Sequence, residues 1–346
     1  MNPIRTLVTG AGSGVGQGIV KALRASSLPL RIISSDIAPL NSALFRTDEA
    51  LLLPKVEDEG SLEVIIDGIK KARIDVVMIG SEFDLCFFAG HKELIEAETG
   101  ALVVVSPRKT VEVAEDKWLT AEFLRENNLA YAPAYVPKGA HEALEAAAAW
   151  GYPFILKART GTSSRHIHVV ENERQLLFLL DVVPNLMLQQ MVNTPGKSLG
   201  CEYTCSVFRC RDGSLLGPFT ARRTLRGGSS WVVEVGRFGE LHHLLLAIGE
   251  ALPAMGTLNI QLMIGPVGPV PFEFNARFSG TTAVRAHFGF NEPEMAIRSY
   301  FLQEEFEKPV IRYGLALRYL EEVFVDNAAA SSAERFFTRG TVRTWF

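Results

Sequence analysis

The chain of 346 residues carries 35 lysines and arginines against 39 acidic residues, a formal charge of −4. That length predicts two or three packed lobes, and the charge supplies no field to draw in a phosphate backbone, which excludes nucleic acid as the expected partner. No run approaches the roughly 20 apolar residues of a membrane span, and MNPIRTLVTG enters a strand with no basic start, apolar stretch or cleavage site. The expectation is a cytoplasmic protein that acts on small molecules, with no membrane partner.

From Ile4 to about Val105, the strand-like runs IRTLVT, LRIISS, DVVMIG and ALVVV alternate with helical stretches at residues 17–25, 61–72 and 85–98. This βαβ rhythm predicts a parallel sheet covered by helices on both faces. After Pro107 the pattern changes to helical text in KWLTAEFLREN, then AYAPAYV, an alanine-rich helix over 141–150 and the strand YPFILKA, which fits a small α+β lobe. A third block, from about Leu186 to Asn275, holds LMLQQMV, CEYTCSVFR, SLLGPFTARR, SWVVEVG, LNIQLMIG and VPFEFNARF with one helix over 240–252, and should be largely antiparallel. Cys86, Cys201, Cys205 and Cys210 form no C-x-x-C pair and read as small buried hydrophobes, not metal ligands.

In an extended PFEFNARFSG, Glu273, Asn275 and Arg277 share one face while Phe272, Phe274, Ala276 and Phe278 share the other. The turn residues of IGPVGPV predict a hairpin before it. A turn about Val267 sets Gln261 opposite Glu273, so a carboxylate, two amide oxygens and a guanidinium converge. Hard oxygens of this kind suit Mg²⁺, and the guanidinium suits phosphate oxygens; on spacing alone the face reads equally well as a solvated sheet surface. Lys157 at the end of GYPFILKA, the small and hydroxyl residues of RTGTSSRHIHVV after it, and Lys117 at a helix start in EDKWLT add phosphate-binding groups to the same series.

The order and spacing of these residues resemble the ATP-grasp superfamily, and FEFNARFSGTTAVRAHFGFNEPEMAIR resembles the form found in carbamoyl-phosphate synthase large chain-like proteins. The resemblance implies an α/β fold with a Rossmann-like pre-ATP-grasp domain over 1–108, an ATP-grasp small lobe over 109–186, a large lobe with the metal site over 187–310 and a C-terminal extension over 311–346. It implies ATP and Mg²⁺ as cofactors. Lys117 and Lys157 would contact the phosphates, and Thr162, Ser163, Ser164 and Arg165 would lie in the loop that closes over them. Gln190, Met191 and Val192 would meet adenine, and Glu202 the ribose. Gln261, Glu273 and Asn275 would hold the metal, with Arg277 beside the γ-phosphate. The chain departs from the family pattern in having one glycine, Gly161, in the mobile loop, and Gln190 where a carboxylate is common.

The implied chemistry is ADP-forming carboxylate–amine ligation through an acyl phosphate, with small-molecule carboxylate and amine substrates and a homodimer as the association. Arg285 is a candidate for a substrate carboxylate or phosphate. His287 reads either as structural or as catalytic, and Arg222, Arg223 and Arg226 read as solvated surface. The loop LVTGAGSGVGQG, with Asp36 after the next strand, resembles the short-chain dehydrogenases, but no tyrosine has the lysine four residues on that such enzymes need. Its glycines then serve tight turns and helix packing, with the Gly12 region also a candidate donor of backbone N–H groups to the acceptor substrate. Glu82 reads either as part of an amine site or, with Asp84, as the acidic start of a helix. Two other functions remain open: a nucleotide-binding regulatory protein with little turnover, and an NAD(P)-dependent oxidoreductase.

Overall fold

The apolar run IRTLV forms β1 (Ile4–Val8), with Leu7 and Val8 fully buried, and Ser13 then caps α1 (Gly14–Arg24), its hydroxyl accepting from the Gly16 amide at 2.9 Å. A computed structural model describes residues 2–161, 166–192, 201–325 and 342–343 of the chain. Then follow β2 (Leu30–Asp36), β3 (Glu49–Leu52), α2 (Ser61–Lys71), β4 (Val76–Met78), α3 (Glu82–Thr99) and β5 (Leu102–Val104). The five strands are parallel in the order β3-β2-β1-β4-β5. Chain order reverses between β1 and β4, so the crevice beyond their carboxyl ends lies among Thr9, Gly10, Gly80, Ser81 and Glu82. The strand β3 is too short to stand out in the sequence, and α1 and α3 each begin three residues before the expected 17 and 85.

Next come α4 (Arg108–Glu115) and α5 (Lys117–Glu126). Asp116 between them caps α5, accepting from the amides of Trp118 and Leu119 at 2.8 and 3.3 Å, and pairs with Arg159 at 2.6 Å. The small lobe then contributes β6 (Ala134–Tyr135), α6 (Ala140–Trp150), β7 (Phe154–Ala158), β8 (Ile167–Val170), α7 (Glu173–Val182) and β9 (Leu186–Gln190). Its antiparallel sheet runs β6-β9-β7-β8, with Ala143, Ala147, Leu176 and Leu179 of the helices buried against Phe154, Leu156 and Leu188. The expected boundary between residues 186 and 187 therefore needs correction. The strand β9 pairs with β7 from Phe154↔Gln190 to Ala158↔Leu186, so it belongs to the small lobe.

The large sheet contains β10 (Glu202–Arg209), β11 (Leu215–Phe219), β12 (Ala221–Arg226), β13 (Ser229–Val235), β14 (Gly256–Gly265), β15 (Gly268–Asn275) and β16 (Gly314–Leu317). Its order is β15-β14-β10-β12-β13-β16, with β11 also on β10. One face carries Tyr203, Cys205, Val207, Ile260, Leu262 and Phe274 and is covered by Leu245 and Ile248 of α8 (His242–Ala251). The opposite face carries Phe208 and Val233, which share one core with Phe278, Phe290, Met295 and with Val8 and Ile19 of the parallel domain. The helices α9 (Thr282–His287) and α10 (Glu292–Ala296) fill that junction against α1. Gly18 makes the close approach possible, because a Cβ there would lie 3.3 Å from the Ser279 carbonyl oxygen. Of the cysteines only Cys205 is buried; Cys86 is exposed and Cys201 and Cys210 are half-buried, so the expectation of burial fails for three of the four. Among the described residues no helix is long and apolar enough to cross a membrane.

Candidate active site

The hairpin β14–β15 turns at Pro266 and Val267, with Gly265 facing Gly268. Counted back from that turn, an unbroken ladder would set Gln261 opposite Phe272. A one-residue register shift between Gln261 and Leu262 leaves Phe272 over on β15 and brings Gln261 to Glu273, with Asn259 opposite Asn275. Gln261 Nε2 donates to Glu273 Oε1 at 2.9 Å, and Asn275 Nδ2 donates to the same oxygen at 3.4 Å. Across the sheet Arg223 reaches the site from β12, its Nη2 donating to Gln261 Oε1 at 2.8 Å and its Nε to Glu202 at 2.9 Å. Arg223 is therefore no solvated residue as expected. It lies opposite Glu202 in the ladder, a placement that required knowing the pairing of β10 with β12.

Lys157 at the end of β7 is only 4% exposed and donates no hydrogen bond among the described residues. Burial pushes its pKa down to about 8, Glu273 opposes the shift and Lys117 adds to it. Lys117, the first residue of α5, is buried too, and its Nζ donates to the Gly161 carbonyl at 3.0 Å. Lys157 of the small lobe and Lys117 of α5, which packs on β15, thus meet near the carboxylate of the large sheet. Gln190 ends β9, held by its amide to the Pro133 carbonyl at 2.8 Å, and Met191 and Val192 follow it. Thr162, Ser163, Ser164 and Arg165 lie outside the described residues. The carboxylate of Glu202, expected at the ribose, is engaged by Arg223.

Strand β15 ends at Asn275, so Arg277 leaves the expected sheet face. Its Nη2 donates to Glu82 at the start of α3 at 2.9 Å and its Nη1 to the Phe278 carbonyl at 3.0 Å, while its buried Nε has no partner among the described residues. Glu115, at the end of α4, faces the same groups, and its carboxyl is raised by burial, with Arg277 opposing, Glu82 adding, Lys117 opposing and Glu273 adding. Sequence reading passed over Glu115, since nothing in VAEDKW marks which of its acids turns inward.

Two candidates need correction. Arg285 is fully buried, pairs with the equally buried Glu292 at 2.9 Å and bonds to Asn259 and Thr204, so its fork holds the core together instead of facing a substrate. The Gly12 amide donates to Asp36 Oδ2 at 3.0 Å, and the Asn41 side chain fills the place of a Gly12 Cβ, so this N–H is spent inside the loop. Asp36 also accepts from Asn41 and from the Ala38 amide. Gly16 and Gly80 serve close packing: a Cβ on Gly16 would lie 2.5 Å from the Gly10 carbonyl oxygen, and one on Gly80 would lie 2.2 Å from that of Thr9. Asp84, accepting from the Thr9 hydroxyl at 2.9 Å, has its pKa raised to about 6, chiefly by burial. His287 is exposed, edge-on to Phe288.

Among the described residues no cluster of three His, Cys, Asp or Glu could hold a metal ion. The face of Gln261, Glu273 and Asn275 offers one carboxylate and two amide oxygens, a hard donor set that fits Mg²⁺ once Gln261 exchanges its bond to Arg223 for the ion.

Residues 6–104 match the family described as PylC-like, N-terminal domain. Over 167 residues, 44% of this chain, the sequence is 26% identical to the carbamoyl phosphate synthase arginine-specific large chain of Cutaneotrichosporon cutaneum, and the match spans only 14% of that relative. The N5-carboxyaminoimidazole synthetase of Staphylococcus aureus, solved with ADP, is similar at a TM-score of 0.72 and 14% identity, over 92% of this chain and 83% of that one. The biotin carboxylase domain of the Hydrogenobacter thermophilus 2-oxoglutarate carboxylase, solved as a dimer with MgADP, ADP and bicarbonate, is similar at 0.73 and 16% identity, over 100% of this chain and 84% of that one. With a parallel sheet followed by two antiparallel sheets, Lys157 on the first of these and the oxygen set on the second, the chain has the ATP-grasp fold.

Proposed function

We propose that the chain is an ATP-dependent carboxylate–amine ligase. The observation that carries the reading is the convergence of Lys157 from the small-lobe sheet and Lys117 from the start of α5 on Glu273 and Gln261 of the large sheet, beside Arg277. A nearly buried ammonium with no hydrogen-bonded partner among the described residues costs stability, and a polyphosphate is the partner that would repay it. The ADP and MgADP of the two similar structures support ATP and Mg²⁺ as the groups bound here, and the dimeric Hydrogenobacter domain supports a homodimer.

In the proposed reaction a substrate carboxylate oxygen attacks the γ-phosphorus and ADP departs. The amine nitrogen then attacks the acyl carbon, the C–O bond to phosphate breaks and an amide forms. Lys117 and Lys157 neutralise the phosphates, and Arg277, held in place by Glu82, stabilises charge on the transferred phosphoryl oxygens. Gln261, Glu273 and Asn275 would hold Mg²⁺, which supplies charge neutralisation at the β- and γ-phosphates. Phosphate release from MgATP with pooled amino acids and small carboxylic acids tests the reading. Release that depends on one pool and vanishes in Lys157→Ala is expected; nucleotide binding with no release under any pool returns the chain to a regulatory role.

A further inference from the structure

Amide formation sheds a proton, and the groups assigned so far do not take it. Lys117, Lys157 and Arg277 are cations, and Glu273 belongs to the oxygen set. Glu115 stands apart. It ends α4, which packs on β15 and α3, and it is followed by Asp116, fixed by its cap and by Arg159, and by Lys117. The charged groups around it are Arg277 from the bend after β15, Glu82 from α3, Lys117 from α5 and Glu273 from β15. Glu82 is paired with Arg277, Glu202 with Arg223, and Glu273 accepts from Gln261 and Asn275. Glu115 is half-buried, and among the described residues it accepts no hydrogen bond and forms no ion pair. A carboxylate withdrawn from water without partners is a poor structural element, and its neighbours are the groups proposed to hold the reacting phosphate.

We propose that Glu115 is the general base of amide formation, an inference that rests on the ligase reading. As the amine nitrogen attacks the acyl carbon, the C–N bond forms and the nitrogen gives its surplus proton to the Glu115 carboxylate. The acyl C–O bond breaks, phosphate leaves with the electron pair, and Glu115 returns the proton to solvent. Its raised carboxyl, a consequence of burial before all else, brings it nearer to the working pH of a base.

The test compares wild type with Glu115→Gln, using MgATP and the pooled amino acids and small carboxylic acids, with and without hydroxylamine. Hydroxylamine is weakly basic, and its adduct nitrogen loses a proton to water unaided. In Glu115→Gln, hydroxamate formation should stay within about threefold of wild type while amide formation from the pool falls at least about 100-fold, with Glu115→Asp recovering part of it. Both products falling together would make Glu115 a structural or metal-binding residue, and neither falling would leave it no role; either result overturns the proposal. A wild type that makes neither product removes the ligase reading itself, and the base with it.

Discussion

Replacing Lys157 by methionine keeps the length of the side chain and removes its charge. The drop in pKa from 10.5 to about 8 corresponds to roughly 3 kcal/mol, at about 1.4 kcal/mol for each tenfold change in the protonation equilibrium. Because the folded value lies below the unfolded one, the charged lysine penalises the fold. The penalty is complete below about pH 8, shrinks as pH rises towards 10.5 and is absent above it. The ligand-free Lys157→Met protein should therefore melt at higher temperature than wild type near neutral pH, with the gap closing as the medium becomes alkaline. Thermal unfolding of the two proteins across that range measures it, and taking the difference cancels the other titrating groups. MgATP should reverse the order, since phosphate favours the ammonium that methionine lacks. A gap that does not change with pH, or a variant less stable than wild type at neutral pH, would refute the reasoning.

Glu273→Gln removes the one carboxylate from the proposed Mg²⁺ set and should lower Mg²⁺-dependent ATP turnover at least about 100-fold while leaving the melting temperature near wild type; unchanged turnover would discard the set. Arg285→Met leaves Glu292 charged at 0% exposure and should cost about 3–5 kcal/mol, read by thermal denaturation, with Glu292→Gln in the same chain restoring part of it. An unaltered melt would contradict the account of that pair. Asp84 has a folded pKa of about 6, above its ordinary 3.8, so its charged form penalises the fold. That penalty is absent below about pH 3.8, grows as pH rises towards 6 and is complete above it. Asp84→Asn should then be stabilising at neutral pH, with the gain fading as pH falls, and a gain independent of pH would argue against it.

The parallel domain was legible because LVTG, IISSD and VVMIG are apolar runs separated by helix-length intervals, and Glu273 with Gln261 because their strands are joined by a short turn. Even there the turn alone would have misplaced Gln261 by one residue without the bulge at Phe272. What failed depends on pairing between distant segments. LMLQQ reads as a strand, but nothing in it says that its partners are β6 and β7 of the small lobe and not the strands that follow it. Arg223 and Arg285 show the same limit from opposite sides. An arginine-rich strand reads as surface until the ladder sets Arg223 beside Glu202, and an arginine near the metal face reads as a ligand until Glu292, seven residues on, is seen buried against it. The Gly12 amide was an open donor in sequence; Asp36 and Asn41 close it.

The central claim is the transfer of a phosphoryl group to a substrate carboxylate, and oxygen-isotope transfer tests it most directly. With pooled carboxylic acids labelled with ¹⁸O in the carboxyl group, MgATP and the amines of the pool, mass spectrometry of the released phosphate should find one labelled oxygen per turnover, because the oxygen that attacks the γ-phosphorus leaves with it. Turnover that yields amide and only unlabelled phosphate would contradict the account.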